Sequence, residues 1–226
     1  MIAVAIDGPS GAGKSTIAKA AAKRLGLIYV DTGALYRTVG YYMVQNGVDI
    51  TCKEAVSTAL SGVDIAFDYD GQGTQRVFLN GKDVSDNIRT PQMSMTASKV
   101  SALGCVRAFL LDLQRNTAKK QSVVMDGRDI GTVVLPDAQV KIFLTASPEV
   151  RAERRFEELV KKGETVTFEQ VLQDVKQRDY NDSHREIAPL KQAQDAILLD
   201  TSGFSLEKSI AEVIRIIQEA SPCFIR

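Results

Sequence analysis

Histidine and cysteine are scarce in this chain, net charge is missing, and no apolar run is long. The single histidine, His184, cannot build a histidine-rich metal site, and its polar surroundings point to a solvated side chain. The three cysteines, Cys52, Cys105 and Cys223, are widely spaced, odd in number and form no C-x-x-C pair. They read as reduced thiols of a cytosolic protein, buried or incidental rather than metal ligands. With 28 basic and 28 acidic residues the formal charge is zero. A broad electrostatic footprint for nucleic acid or anionic membrane is therefore not supported, although arginine clusters can still act locally. The first apolar run, Met1 to Ile6, is six residues with no basic region before it, too short for a signal peptide or a membrane span. No repeats or low-complexity tracts appear. The expectation is a soluble, cytoplasmic, monomeric protein without nucleic-acid or membrane partners.

What the chain does have is a phosphate loop. Gly8-Pro9-Ser10-Gly11-Ala12-Gly13-Lys14-Ser15 satisfies G-x-x-x-x-G-K-[ST] at every required position. The context fits: a short apolar strand ends at Asp7, and an Ala- and Lys-rich helix from Thr16 to Leu25 follows, with Gly26 just past its end. Glycines let the backbone curl so that successive N–H groups face phosphate oxygens, with the helix dipole behind them. Lys14 then reaches the β and γ phosphates, and the Ser15 hydroxyl holds Mg²⁺. A bare glycine-rich turn would need no Lys-Ser pair after its last glycine. The residues imply a nucleoside triphosphate site.

At 226 residues the chain is one α/β domain, or one domain carrying a small insert. Leu27 to Val30 is a second strand, closed by Asp31-Thr32-Gly33, and Ala34 to Asn46 carries apolar residues at helical spacing. Thr51-Cys52-Lys53-Glu54 has the form of a capping box opening a helix to about Leu60. The texture then changes. Val63 to Phe67 alternates, Gly71-Gln72-Gly73 is a turn, Arg76 to Leu79 is strand-like, and Asn80-Gly81 is a hairpin signal before Lys82 to Val84. This is an antiparallel insert, outside the main sheet. Thr90-Pro91 opens a helix, and helical patterning resumes from Gly104 to about Lys120. Val123 to Met125, Val140 to Leu144 and Ala196 to Leu199 are further buried strands. Helices follow Ser147-Pro148 (to about Lys162), follow the capping box Thr167 to Gln170 (to about Tyr180), and run from Leu206 to Glu219.

Five apolar strands separated by helices predict an α/β, three-layer phosphate-loop NTPase-type fold. Its five-stranded parallel sheet would be flanked by helices, with the antiparallel β insert and a helical lid added. Ligands bind beyond the carboxyl ends of such strands. That rule groups Gly8 to Ser15, Asp31 to Gly33, Asp126 to Asp129 and Thr201-Ser202 on one edge. Asp126 ends a strand of the type that supplies the metal-side carboxylate, and a hydrogen bond to Ser15 or to a Mg²⁺-bound water is its expected job. In Gly127-Arg128-Asp129, an arginine held by the adjacent aspartate would be aimed at a phosphate. Arg151, Arg154 and Arg155 share one helix face, where like charges are costly unless an anion accepts them, although Glu153, Glu157 and Glu158 allow a merely solvated face. With a triphosphate bound, a lid helix bringing these guanidinium groups over the migrating phosphoryl is the better reading. Arg37, Arg107, Arg128, Arg178 and Arg185, as a set, suit a clamp for a second phosphorylated ligand.

With these residues assembled, the chain resembles the bacterial cytidylate kinases over nearly its whole length. The segments that carry the resemblance are Ile6 to Lys14, Asp31 to Arg37, Asp126 to Thr132, and Arg178-Asp179 through Arg185 to Ala188-Pro189-Leu190. The first is common among nucleotide-binding proteins; the second and third, in this order around the antiparallel insert, are far more specific. The resemblance implies a nucleoside monophosphate kinase with a core (residues 1–31, 86–150 and 186–226), a CMP-binding region (32–85, with the insert at about 63–85) and a lid (151–185). It implies the reaction ATP + (d)CMP giving ADP + (d)CDP with Mg²⁺. Carried over by position, Gly8, Pro9, Ser10, Gly11, Ala12, Gly13, Lys14, Ser15, Thr16 and Arg154 would hold ATP. Thr32, Tyr36, Arg37, Ser98, Arg107, Arg128, Arg178, Asp182 and Arg185 would contact CMP. Lys14, Arg128, Asp129, Arg151 and Arg155 would carry catalysis, and Ser15 with Asp126, the latter through water, would serve the metal. Thr32 stands where many members have Ser, which keeps the hydroxyl. Ser15 stands where some have Gly, which fits the general phosphate-loop pattern better.

Two other readings stay open. A kinase of another monophosphate, or of a small metabolite such as shikimate, shares the core but does not need the insert. A GTP-dependent switch lacks support: N-K-x-D is absent, and the D-x-x-G segment Asp68 to Gly71 falls in the insert, far from Asp126.

Overall fold

The strand Ala3–Asp7 (β1) is apolar on both faces, and that property sets the layering. Ile2, Val4 and Ile6 pack toward one side, in a cluster with Ile17, Ala18 and Ala21 of helix Lys14–Leu25 (α1) and Ile210, Val213 and Ile216 of helix Leu206–Ala220 (α8). Ala5 faces the opposite cluster with Val30, Val123, Met125, Ile130 and Val134. A strand with period-two alternation and apolar groups in both sets belongs at the centre of a covered parallel sheet. The computed structural model describes residues 1–71 and 73–221; Gln72 of the expected glycine turn and Cys223 lie outside the described residues.

In that sheet β1 lies between Val123–Gly127 (β6) and Val140–Thr145 (β7). Ile28–Asp31 (β2) is outside β6 and Ile197–Asp200 (β8) is outside β7, with all four pairings parallel. The antiparallel insert forms its own three-stranded sheet, Ile65–Tyr69 (β3), Gln75–Leu79 (β4) and Lys82–Asp83 (β5). Its tight turn has Asn80 at φ 49° and Gly81 at φ 76°, the positive pair that a two-residue hairpin with the right twist demands.

Helices Thr32–Gln45 (α2), Lys53–Ala59 (α3), Pro91–Val100 (α4) and Gly104–Lys120 (α5) pack with the insert around Leu35, Val39, Met43, Val77, Leu79 and Leu110. Helices Pro148–Lys161 (α6) and Phe168–His184 (α7) share a smaller core of Ala152, Val171 and Val175. Both separate clusters border the carboxyl rim of the main sheet. Among the described residues, no helix is long and apolar enough to cross a membrane.

Several element ends differ from the sequence expectation, each for a visible reason. The box at Thr51 is not formed: the Thr51 hydroxyl donates instead to Asp49 Oδ1 at 2.7 Å, and Cys52 caps α3 without a side-chain bond. The Asp49 carboxylate outcompetes the helix for that hydroxyl. Helix α2 starts two residues early because Asp31 is its N-cap, accepting from the Ala34 N–H at 2.9 Å. Helix α7 continues past Tyr180 to His184, whose exposed ring stacks on Tyr180 at 4.1 Å. Its own capping box forms as expected, Thr167 with Gln170, and Thr90 caps α4 ahead of Pro91. Cys52 and Cys105 are free thiols.

Candidate active site

The loop after β1 brings backbone closer to backbone than any side chain allows. A Cβ on Gly8, at φ 150°, would sit 1.9 Å from the Leu144 carbonyl oxygen of β7. Gly13, at φ 86°, turns the chain into α1, whose free N–H groups and dipole then face the loop. Lys14, the first residue of that helix, is buried and donates from Nζ to the Pro9 carbonyl at 2.7 Å. Burial, and then the nearby Arg128 guanidinium, push its ammonium well below the usual lysine range. An anion in the loop would reverse that penalty.

Asp126 ends β6 beside it, and the expected bond is present: Ser15 Oγ donates to Asp126 Oδ2 at 2.9 Å. Tyr29 donates its phenol to Oδ1 at 2.8 Å, and Thr32 Oγ1 donates to the Asp126 carbonyl at 2.7 Å. Burial, with the Asp31 carboxylate adding to it, raises the Asp126 carboxyl. A hydroxyl and a carboxylate on one edge are hard oxygen donors, the kind a magnesium ion takes with water. The residues present fit that ion.

A cavity of about 650 Å³ runs from this loop across the carboxyl rim to α4 and α5. Nine basic and six acidic side chains line it, an excess of positive charge in a chain whose total is zero. Three carboxylates hold the arginines. Asp31 Oδ2 accepts from Arg37 Nη2 at 2.8 Å, and Asp182 Oδ2 accepts from Arg128 Nε at 2.8 Å. Asp129 is bridged to Arg107 and, at 3.5 Å, to Arg185. The Arg107 guanidinium also lies 5.7 Å from the Tyr36 ring centre. Burial tends to raise Asp182, but Arg128, Arg178 and Arg185 outweigh it and hold this carboxyl below the ordinary range.

Cations still exceed what these carboxylates neutralise. Burial, with Arg128 next to it, lowers Arg178 to about 10. The Nε groups of Arg178 and Arg37 are buried and donate to no group among the described residues. A buried guanidinium N–H without an acceptor is costly, and a bound oxyanion supplies the acceptor.

The structure brings most of the residues expected from the sequence together on this cavity. Ser10, Gly11, Gly13, Lys14, Ser15, Thr16, Thr32, Tyr36, Arg37, Ser98, Arg107, Asp126, Arg128, Asp129, Arg154, Arg155, Arg178, Asp182 and Arg185 all line it. Two expectations change. Arg128 is not held by adjacent Asp129 but by Asp182 of α7, because Asp129 points back to Arg107 of α5. Arg151 does not join Arg154 and Arg155 over the cavity. Its side chain is 3% exposed and donates to Ala146 O at 2.8 Å, Ser10 O at 3.0 Å and both Asp179 oxygens at 2.9 and 2.5 Å. At the base of α6 the i, i+3, i+4 face turns inward for its first member only. Gly8, Pro9 and Ala12 shape the loop without lining the cavity.

Sequence reasoning missed the groups that act by holding others. Asp7 accepts from the Ile130 and Gly131 N–H groups, both at 2.7 Å, and so fixes the π-helical turn Ile130–Val134 behind Asp129. Burial lifts its carboxyl to about 6, against the pull of those two bonds. Asp179, named from the sequence only as part of a motif, and the cavity-lining Phe204 were given no role. A strand-end aspartate was the one available signal, for Asp7 alone.

A family model described as cytidylate kinase matches residues 4–219. The chain is 49% identical over 216 residues to a cytidylate kinase of Thermosipho melanesiensis, covering 96% of each protein. It is 48% identical over 219 residues to one of Lactobacillus johnsonii, covering 97% of this chain and 95% of that one. Among solved structures, an uncharacterised protein from Eubacterium ventriosum has a TM-score of 0.50 at 13% identity, covering 96% and 99% of the two chains. That last likeness is one of fold alone.

Proposed function

The chain belongs to the cytidylate kinase family and is a phosphotransferase acting on CMP or dCMP; we propose that it works by holding ATP and the monophosphate nose to nose along the carboxyl rim of its sheet. The observation that carries this reading is the pair of buried, acceptorless guanidinium N–H groups, Arg37 Nε and Arg178 Nε, in the same cavity as the phosphate loop. One anion would sit on the loop amides; a second would meet these arginines.

On the donor side, the Gly8–Gly13 loop and Lys14 receive the triphosphate, with Thr16 at the start of α1 and Arg154 at the lid. Arg154 Nη2 donates to the Thr201 carbonyl at 3.1 Å, which sets it at the end of the cavity shared with Phe204. Ser15 and, through water, Asp126 would hold Mg²⁺, whose contribution when bound is to neutralise charge on the phosphate oxygens. On the acceptor side, Arg37, Arg128, Arg178 and Arg185 with Thr32, Tyr36, Ser98, Arg107 and Asp182 would receive CMP. Residues 32–85 then serve as the acceptor region and 151–185 as the lid.

The CMP phosphate is already anionic and nucleophilic, so no side chain has to remove a proton. Lys14, Arg128 and Arg155 spread the charge that moves with the phosphoryl group, in positions set beforehand. Asp129 and Asp182 act as positioning residues, since each locks arginines that touch the ligand. Arg151 anchors the lid to Ser10 of the phosphate loop and to α7. Closure of the lid excludes water, which otherwise competes as acceptor.

A coupled ADP-release assay with CMP, dCMP, UMP, AMP, dTMP and shikimate tests the reading. Turnover with CMP and dCMP is expected, and Arg128→Ala should raise KM for CMP about ten- to a hundredfold. Strong turnover with a non-cytidine acceptor alone, or near-normal use of CMP by that variant, overturns it.

A further inference from the structure

Among the described residues strand β2 is an edge of the main sheet, paired with β6 alone, yet the backbone of its last residue is satisfied on the outer side as well. Gln75, the first residue of β4 in the insert, accepts the Asp31 N–H on Oε1 at 2.8 Å. Its Nε2 reaches the Asp31 carbonyl at 3.5 Å. Its side chain amide thus occupies the place that one more strand would fill. Gln75 is only 4% exposed and Asp31 is half-buried, so with an apolar side chain in place of the amide the outward N–H of Asp31 would lose its acceptor.

What Asp31 does next gives this contact its meaning. Its carboxylate caps α2 through the Ala34 N–H at 2.9 Å and holds Arg37 at 2.8 Å. Arg37 is one of the two arginines whose buried Nε has no acceptor among the described residues. A rotation of the Asp31 peptide would move cap and guanidinium together.

We propose that Gln75 is a positioning residue for the acceptor phosphate, acting through the Asp31 backbone and carboxylate on Arg37. This gives the antiparallel insert a task in the reaction, and it rests on the reading of Arg37 as a ligand of the CMP phosphate. Among the described residues the insert also meets α1 and β2 through Lys19 Nζ to Thr74 Oγ1 at 3.0 Å and Tyr69 OH to the Tyr29 carbonyl at 2.9 Å, and neither bond touches Asp31.

Steady-state kinetics of Gln75→Met, which keeps the length and loses the amide, provide the test. KM for CMP should rise about tenfold, the value of one buried hydrogen bond, while kcat and KM for ATP stay within about twofold. Gln75→Asn, too short to span the gap, should give the same split and serves if the first variant does not fold. Lys19→Met, which removes a neighbouring tie, should leave all three constants unchanged. In an Arg37→Met background the Gln75→Met effect should vanish, because the group it positions is gone. Hydrogen exchange at the Asp31 amide should quicken about tenfold in Gln75→Met.

An unchanged KM for CMP in Gln75→Met, equal rises for both substrates, an equal effect from Lys19→Met, or a full effect in the Arg37→Met background each overturns the proposal. Arg37→Met alone tests the underlying reading: if that variant binds CMP normally, the phosphate-clamp assignment fails, whatever Gln75 does.

Discussion

Lys14 and Asp7 sit on either side of the same strand end and carry opposite burdens. The Lys14 ammonium is buried against a carbonyl and weakened as a cation by burial and by Arg128. It is placed to meet an anion, whose charge favours the ammonium form. Lys14→Ala should lower kcat/KM for ATP by about 10²–10³-fold, as measured in the coupled assay, with KM for CMP little changed. Asp7 carries the burial cost of a carboxylate: its pKa is about 6 in the fold against 3.8 ordinarily. The folded state therefore binds the extra proton between those values, and stability from this group is greatest below the window and is lost as pH rises to about 6. Asp7→Asn does not titrate. From pH 4 to pH 7 its unfolding free energy should gain about 2 kcal/mol relative to the parent chain, read from urea melts at each pH. A difference that stays flat with pH would show Asp7 to be ordinarily solvated. Residue identity was readable here from the motif for Lys14. For Asp7 it was not, because its partners, the N–H groups of Ile130 and Gly131, lie more than a hundred residues away.

At the scale of elements, one guanidinium gathers several of the ties of α6. Arg151 ties α6 to the phosphate loop at Ser10, to the end of β7 at Ala146, and to α7 through Asp179. Such a group is expensive to remove, because three acceptors lose a charged donor in a mostly buried place. Arg151→Met should cost about 2–4 kcal/mol in urea unfolding, with the loss in stability larger than any rise in KM for ATP. Arg155→Met, on the cavity side of the same helix, should show the reverse: near-parent stability and a fall in kcat. If both variants behave alike, the inward and outward assignments of this helix face are wrong. By spacing alone Arg151, Arg154 and Arg155 carry the same i, i+3, i+4 signal. Only the packing of α6 on the loop divides them.

For the whole molecule, the cavity lies at a seam between three packed clusters, the sheet core, the insert with α2 to α5, and the pair α6 and α7, and the proposed reading sets both ligands there. A ligand that binds only the folded chain stabilises it by mass action, about 2.7 kcal/mol at a hundredfold excess over Kd. A non-hydrolysable ATP analogue with Mg²⁺, or CMP, should each raise Tm by several degrees in a thermal melt. Lys14→Ala should lose the analogue's shift and keep that of CMP, while Arg37→Met should do the opposite. Both shifts surviving in both variants would mean that these residues do not divide the two sites.

The chain's own order determined the phosphate loop, the parallel sheet, the separate insert and most of the cavity lining, because those depend on local spacing. Apolar period, glycine placement and hairpin chemistry act over a few residues and can be read directly. What the tertiary structure decided was who holds whom. Asp182 rather than Asp129 grips Arg128, Arg151 faces inward, and Gln75 closes the edge of a strand it is not part of. Side-chain partners of this kind are chosen by burial and distance between elements far apart in the chain, where a charge without its counterpart is costly, and no local pattern records them.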